Sequence, residues 1–194
     1  MYPGKVRIIA AILLAGTVLN YLWVRVADAF TLPAGIAFLI AAYCLIVILL
    51  PLRLPEVIGI GIVAGVLTIL TDPRHLATIL NGQAATAAGL MALFNIVSEP
   101  VGIMACLWAY TFLKGKARAG VPFVAAFLAT CASGLAYLLM ILIFNPAVIA
   151  VQPDYTGNFL SRVAETALLT ALVVQILVMA RNIYLPQAPK GATS

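Results

Sequence analysis

VPFVAAFLATCASGLAYLLMILIF, residues 121–144, carries no charged side chain from end to end. An α-helix rises about 1.5 Å per residue, so this stretch is long enough to cross the roughly 30 Å hydrocarbon core of a bilayer. In water the same run would have to be covered on every face. The remainder of the chain decides between the two solvents. Of 194 residues, 64% are hydrophobic and only 9% charged, and the mean hydropathy is +1.14. A soluble domain carries about 25% charged residues, and one of this size still has an extensive wet surface to cover. Lipid is therefore the solvent for most of the chain, and residues 1–194 read as a single transmembrane domain.

Five further stretches approach span length: 8–24, 32–50, 57–71, 99–113 and 159–180. The segments 57–71 and 99–113 are short, so tilt, bilayer thinning or help from neighbours is implied. Helix breakers punctuate the joints at Pro33, Pro51, Pro55, Pro73, Gly120 with Pro122, Asn145 with Pro146, and Pro153. The expectation is an all-α integral membrane protein with six transmembrane helices. Lys5, Arg7, Arg53, Lys114, Lys116, Arg118, Arg181 and Lys190 fall on one side, and Arg25, Arg74 and Arg162 on the other. The side richer in basic residues is expected to be cytoplasmic, which gives an N-in/C-in, multi-pass protein of the cell membrane. Lys5 and Arg7 ahead of an apolar run, with Ala27-Asp28-Ala29 behind it, have the form of a signal peptide and its cleavage site. Arg25, immediately before that site, argues against cleavage.

Residues 84–97 are apolar but too short for a crossing of their own, and a separate crossing would carry Lys114, Lys116 and Arg118 to the outside. Two readings stay open. The segment is a short or re-entrant helix before helix four, with Ser98 as N-cap and Pro100 in the first turn. Alternatively it extends helix four outward, and Pro100 forfeits its backbone bond to Ile96.

A charged group at the bilayer centre is costly and ordinarily faces protein or a water-filled cavity. Glu99 lies about 21 Å of helical rise from Leu113 at the inner end of helix four, in the outer third of the core. The same arithmetic brings Asn20 and Tyr21, Asn95, Tyr137, and Arg162 with Glu165 to a similar depth. Residues scattered through the sequence that share one depth point to a binding cavity open to the outside. The competing reading makes Asn20, Arg162 and Glu165 headgroup-level residues, Arg162 and Glu165 an i,i+3 pair, or Arg162 a structural partner of Glu99.

Two small-residue spacings, Ala11-x-x-x-Ala15 and Gly61-x-x-x-Gly65, each allow close helix approach, within this chain or to a partner. Trp108, Tyr110 and Phe112 read as an interfacial anchor. The net charge of +5 is distributed at the ends of apolar stretches, which argues against nucleic acid as a partner. Cys44, Cys106 and Cys131 lack CxxC spacing and read as small apolar residues. His75, the single histidine, reads as a solvated turn residue, so no metal and no cofactor are expected. No HExxH, GxSxG or P-loop is present, and Lys114-Gly115-Lys116 lacks the upstream glycines of a nucleotide-binding loop. The chain is expected not to be an enzyme.

Six helices with both ends inside, a length just under 200 residues and the Ala11-x-x-x-Ala15 spacing together resemble the substrate-binding S components of energy-coupling-factor (ECF) transporters. GIGIVAGVLTILT, residues 59–71, is similar to helix three of those proteins. Asn95-Ile96-Val97-Ser98 resembles the entrance to helix four of the tryptophan-type S components. The resemblance implies capture of a small vitamin-like or amino-acid-like solute in an outward-facing cavity. It further implies docking through Ala11 and Ala15 onto a transmembrane coupling subunit that carries two cytoplasmic ATPases. Asn20, Tyr21, Asn95, Glu99, Tyr137, Arg162 and Glu165 would then face the solute. The histidine-bearing N-terminal signature of the cobalt and nickel branch is missing. The alternative expectation is a non-catalytic membrane subunit or assembly factor of a larger complex, with a dry interior and Glu99 paired to Arg162.

Overall fold

A computed structural model describes residues 3–32, 35–82, 86–115, 120–147 and 154–184. Among them are seven helices and no strand: α1 (Pro3–Phe30), α2 (Phe38–Leu49), α3 (Leu54–Thr71), α4 (Pro73–Leu80), α5 (Ala87–Leu113), α6 (Val121–Phe144) and α7 (Tyr155–Tyr184). Pro33, Lys116, Arg118, Pro153 and Lys190 lie outside the described residues. Five helices, α1, α3, α5, α6 and α7, are long and apolar enough to cross a membrane. Their outward faces carry large apolar side chains; Leu14 is 65% exposed, Leu139 56% and Ile176 61%. Continuous apolar surface on this scale is made for lipid rather than water, and the chain is of the multi-pass membrane class.

α2 has 12 residues and begins at Phe38 rather than at residue 32. Its sequence, FLIAAYCLIVIL, is apolar on every side, which is the pattern of a helix enclosed by others. Residues 39–44, with Ile46 and Val47, are buried, and α1, α3, α5, α6 and α7 all pack against it. Residues 35–37, directly ahead of α2, are not helical, and the N–H groups of Ala37 and Phe38 are met inside the protein. Ala37 N–H donates to Thr170 Oγ1 of α7 at 3.0 Å, and Phe38 N–H to the Ile36 carbonyl at 3.1 Å. Irregular backbone at membrane depth is tolerated where protein supplies such partners.

Of the two readings for residues 84–97, the structure has the second. Residues 87–113 form one helix with Pro100 inside it, and residues 84 and 85 lie outside the described part. Thr86, not Ser98, is the N-cap, its Oγ1 accepting from Gly89 N–H at 3.3 Å. The proline turn is covered by α3, which runs antiparallel to α5 and touches it through glycines. A Cβ on Gly61 would stand 2.6 Å from Pro100 Cα, and one on Gly65 would stand 2.5 Å from the Asn95 carbonyl oxygen. The Gly61-x-x-x-Gly65 spacing therefore serves packing within the chain.

The buried residues of α1 are Ile9, Leu13 and Gly16, with Gly16 against Ala42 and Phe38 of α2, while Ala11 and Ala15 lie on the exposed side. Lys5 Nζ is 2.7 Å from Glu56 Oε2, which also accepts from Arg53 N–H at 2.8 Å. This ties the beginning of α1 to the beginning of α3. Toward the other end of both helices, Asn20 Nδ2 donates to Thr71 Oγ1 at 3.0 Å. α4 is a short helix in a segment expected to be loop. Asp72 ends α3 in an extended conformation, and its carbonyl accepts from Leu76 N–H at 2.9 Å to begin the new turn.

Candidate solute-binding cavity

The polar residues of the long helices fall into stripes. On α6, Thr130, Ser133 and Tyr137 recur at intervals of three and four. On α7, Tyr155, Asn158, Arg162 and Thr166 do the same, and on α5 Asn95 and Ser98 are one turn apart. Such spacing gathers side chains on one helix face. α5 packs on α6 and α6 on α7, and the stripes enclose a cavity of about 700 Å³, closed at one side by Asp72 and His75 from the α3–α4 junction. One wall is aromatic. The Phe159 ring stacks on Tyr137 at 5.9 Å between centroids and on Tyr155 at 6.0 Å, while Phe94 meets Tyr137 edge-on at 6.1 Å. The cavity thus offers rings for a flat apolar group, with amide and hydroxyl partners for polar substituents. Arg162 adds a cation.

Asn95, Tyr137 and Arg162, three of the residues singled out from sequence, line this space together. Glu99 lies just behind it. Its side chain is buried, and its Oε2 accepts from Ser133 Oγ at 3.3 Å. Ser133 and its neighbour Ser98 form the cavity wall in front of the carboxyl group. Tyr43 Oη of α2 lies beside the same carboxyl group. Gly102 makes room for this cluster, since a Cβ there would meet both Tyr43 Oη and Ser133 Cβ.

The other three sequence-derived residues stand elsewhere. Asn20, held by Thr71, lines a second hollow of about 340 Å³ with Trp23, Asp28 and Gly35. Arg162 and Thr166 border both spaces, so the two hollows adjoin along α7. Trp23 Nε1 is buried there without a partner. Tyr21 is exposed on α1, with the Arg25 guanidinium 5.3 Å from its ring centre. Glu165 is exposed on α7 and lines neither hollow.

Sequence reading took Ser98 for an N-cap rather than a cavity residue, and passed over Thr130, Ser133, Asn158 and Thr166 because single hydroxyls and amides in apolar runs look unremarkable one at a time. Their recurrence at helical intervals is the signal that finds them. His75 is half-buried, its Nε2 3.8 Å from Asp72 Oδ2, and not a solvated turn residue. Among the described residues no group of three or more His, Cys, Asp or Glu side chains is arranged to hold a metal ion. Comparison with known proteins returns no match to any family model, to any curated protein or to any solved structure.

Proposed function

We propose that the chain is the membrane-embedded substrate-binding component of an ECF-type uptake transporter, capturing a small vitamin-like or amino-acid-like solute at the outer face of a prokaryotic plasma membrane. The observation that carries this reading is the cavity of about 700 Å³ between α5, α6 and α7. Its size falls within the roughly 300–1,000 Å³ of small-molecule sites. Stacked rings beside amide, hydroxyl and guanidinium groups suit a solute with a planar apolar part and polar substituents. The alternative, an assembly subunit without a ligand, calls for a dry interior and a Glu99–Arg162 pair. Here Arg162 borders open space and Glu99 accepts from Ser133 instead.

Six crossings with both termini inside are part of the proposal, and the Lys5–Glu56 ion pair supports them. With the starts of α1 and α3 at one end of the bundle, the chain between them has to return along its full length, and α2 with its flanking segments is that return. The cavity opens toward the opposite end, the side with the fewer basic residues. Ala11 and Ala15, exposed on α1, are the docking face for a transmembrane coupling subunit, and two cytoplasmic ATPases supply the energy. In this reading the chain has no catalytic activity of its own, needs no cofactor and does not bind nucleic acid.

The test is a thermal-shift screen of vitamins, amino acids and nucleobases on the detergent-purified chain. The expected result is a ligand that raises Tm in the wild type and fails to do so in Arg162→Ala. Tyr137→Ala weakens the response through loss of the ring stack, and Glu99→Gln alters it through Ser133. In parallel, coexpressed coupling subunits should copurify with the wild type and be lost with Ala11→Trp. A chain that responds to no solute and associates with no coupling module is not an S component.

A further inference from the structure

At the end of the bundle opposite the solute cavity, the last turns of α2, α5 and α7 and the first turn of α6 surround a smaller hollow of about 280 Å³. Ile48, Leu49 and Val178 give it an apolar base. Tyr110, Lys114, Arg181 and Asn182 supply its polar wall. Lys114 directly follows the last residue of α5, and Arg181 lies in the last turn of α7, where each cation offsets the negative end of its own helix. That role requires no hollow and no convergence of the two. Yet the cations share one space with a phenol and an amide, and no acidic residue lines it. Of the six acidic residues in the chain, Glu56 alone belongs to this end, and Lys5 holds it at 2.7 Å. Among the described residues neither Lys114 nor Arg181 has an ion-pair partner. The first turn of α6 adds the positive end of a helix dipole, with Gly120 as an N-cap that offers no side chain. Gln175 Oε1 takes one N–H of that turn, from Phe123, at 3.1 Å.

We propose that this hollow binds a phosphate ester, with Lys114 and Arg181 as its two cationic contacts and Tyr110 and Asn182 as neutral hydrogen-bonding groups. An ammonium, a guanidinium, a phenol and an amide offer several donors to one centre, which suits the many acceptor oxygens of phosphate. The depth agrees, because Trp108 and Phe112, stacked at 5.7 Å and exposed, sit at the same end of α5 and mark the headgroup level. Basic pockets between transmembrane helices are a recurrent means of holding anionic lipid headgroups. The phosphate is carried either by such a lipid or by a soluble phosphate ester. The inference uses the end of the molecule away from the solute cavity and does not depend on the transporter reading.

The experiment uses the full chain in detergent, followed by native mass spectrometry with added dioleoylphosphatidylglycerol or dioleoylphosphatidylcholine. Inorganic phosphate serves as the lipid-free probe, read by Tm. Selective retention of the phosphatidylglycerol, about tenfold weaker in Lys114→Gln/Arg181→Gln, assigns the site to a lipid headgroup. A Tm rise with inorganic phosphate that the double variant lacks, without preference between the two lipids, assigns it to a soluble phosphate ester. Both side chains are exposed, and each single variant serves as a check on the double. Arg53→Gln, a change on the same basic end outside the hollow, leaves both readouts as in the wild type. The proposal is overturned if Arg53→Gln weakens retention as much as the double variant does, or if the double variant matches the wild type with both probes.

Discussion

Thr170 is fully buried in α7, and its hydroxyl oxygen accepts the Ala37 N–H at 3.0 Å. In lipid an amide left without an acceptor has no water to turn to, so one side chain here decides whether the chain can be non-helical ahead of α2. Replacing Thr170 by Val preserves the shape and deletes the acceptor, stranding a buried donor at a cost of about 1–3 kcal/mol. Thr170→Ser keeps the oxygen and loses only a methyl group. The expected outcome is a lower Tm and faster hydrogen exchange at Ala37 in Thr170→Val, with exchange at Ala37 near the wild-type rate in Thr170→Ser. Equal exchange in both variants would mean that the amide has another partner. Thr166, one turn earlier on the same face, borders both hollows, so the stripe that anchors α2 continues into the lining of the site.

At the level of helices, the contact between α3 and α5 links packing to the cavity. Gly65 lies against the Asn95 carbonyl and Ile96 Cα, while the Asn95 side chain, on the same residue, lines the solute space. Gly65→Ala introduces a methyl group where backbone already stands, and relief requires α3 to move away from α5. Overpacking of this kind destabilises by about 1–3 kcal/mol, and the shift carries Asn95 with it. The variant should lose Tm and also weaken binding of any solute found for the wild type. Gly59→Ala, where a Cβ meets nothing within 4 Å, should do neither. Loss of stability with unchanged solute affinity would separate the contact from the site. Much of this was legible beforehand. Long apolar runs mark α3 and α6 because periodicity and breakers act locally, and Gly61-x-x-x-Gly65 announces a close approach without naming its partner. The start of α2 was not legible, because a residue of α7 far along the chain completes it. α4 was not legible either, since eight residues that begin with a proline carry too little pattern. For the site, depth arithmetic brought Asn95, Tyr137 and Arg162 to one level. Depth does not give azimuth, and for that reason Tyr21 and Glu165, at a similar depth, point away.

For the whole molecule, the open quantity is the number of crossings, and it turns on parity. α2 alone rises about 18 Å, well short of a roughly 30 Å core, so a count by length stops at five helices and leaves the termini on opposite sides. The packing argues for a sixth. Lys5 on α1 holds Glu56 on α3, so the two helices begin together, and Asn20 reaches Thr71 toward their other ends. On the proposed six-span reading the intervening chain traverses the bundle enclosed by neighbours, with no long hydrophobic span of its own facing lipid. The third test is therefore topological. Cysteines introduced at Gly4, Gly82, Gly115 and Gly157 and probed with a membrane-impermeant thiol reagent in intact cells should divide into two pairs. Gly82→Cys and Gly157→Cys, at the cavity end, should react from outside, whereas Gly4→Cys and Gly115→Cys should react only after permeabilisation. All four positions have space for a side chain, with a cysteine at Gly82, whose φ is +69°, straining the turn there; the native Cys44 and Cys106 are buried, so a background in which Cys131 is changed to Ala isolates the signal. If Gly4→Cys labels from outside while Gly115→Cys does not, α2 is no crossing. The Lys5–Glu56 tie would then have to be abandoned, while the cavity, at the end opposite Gly115, would still face outward.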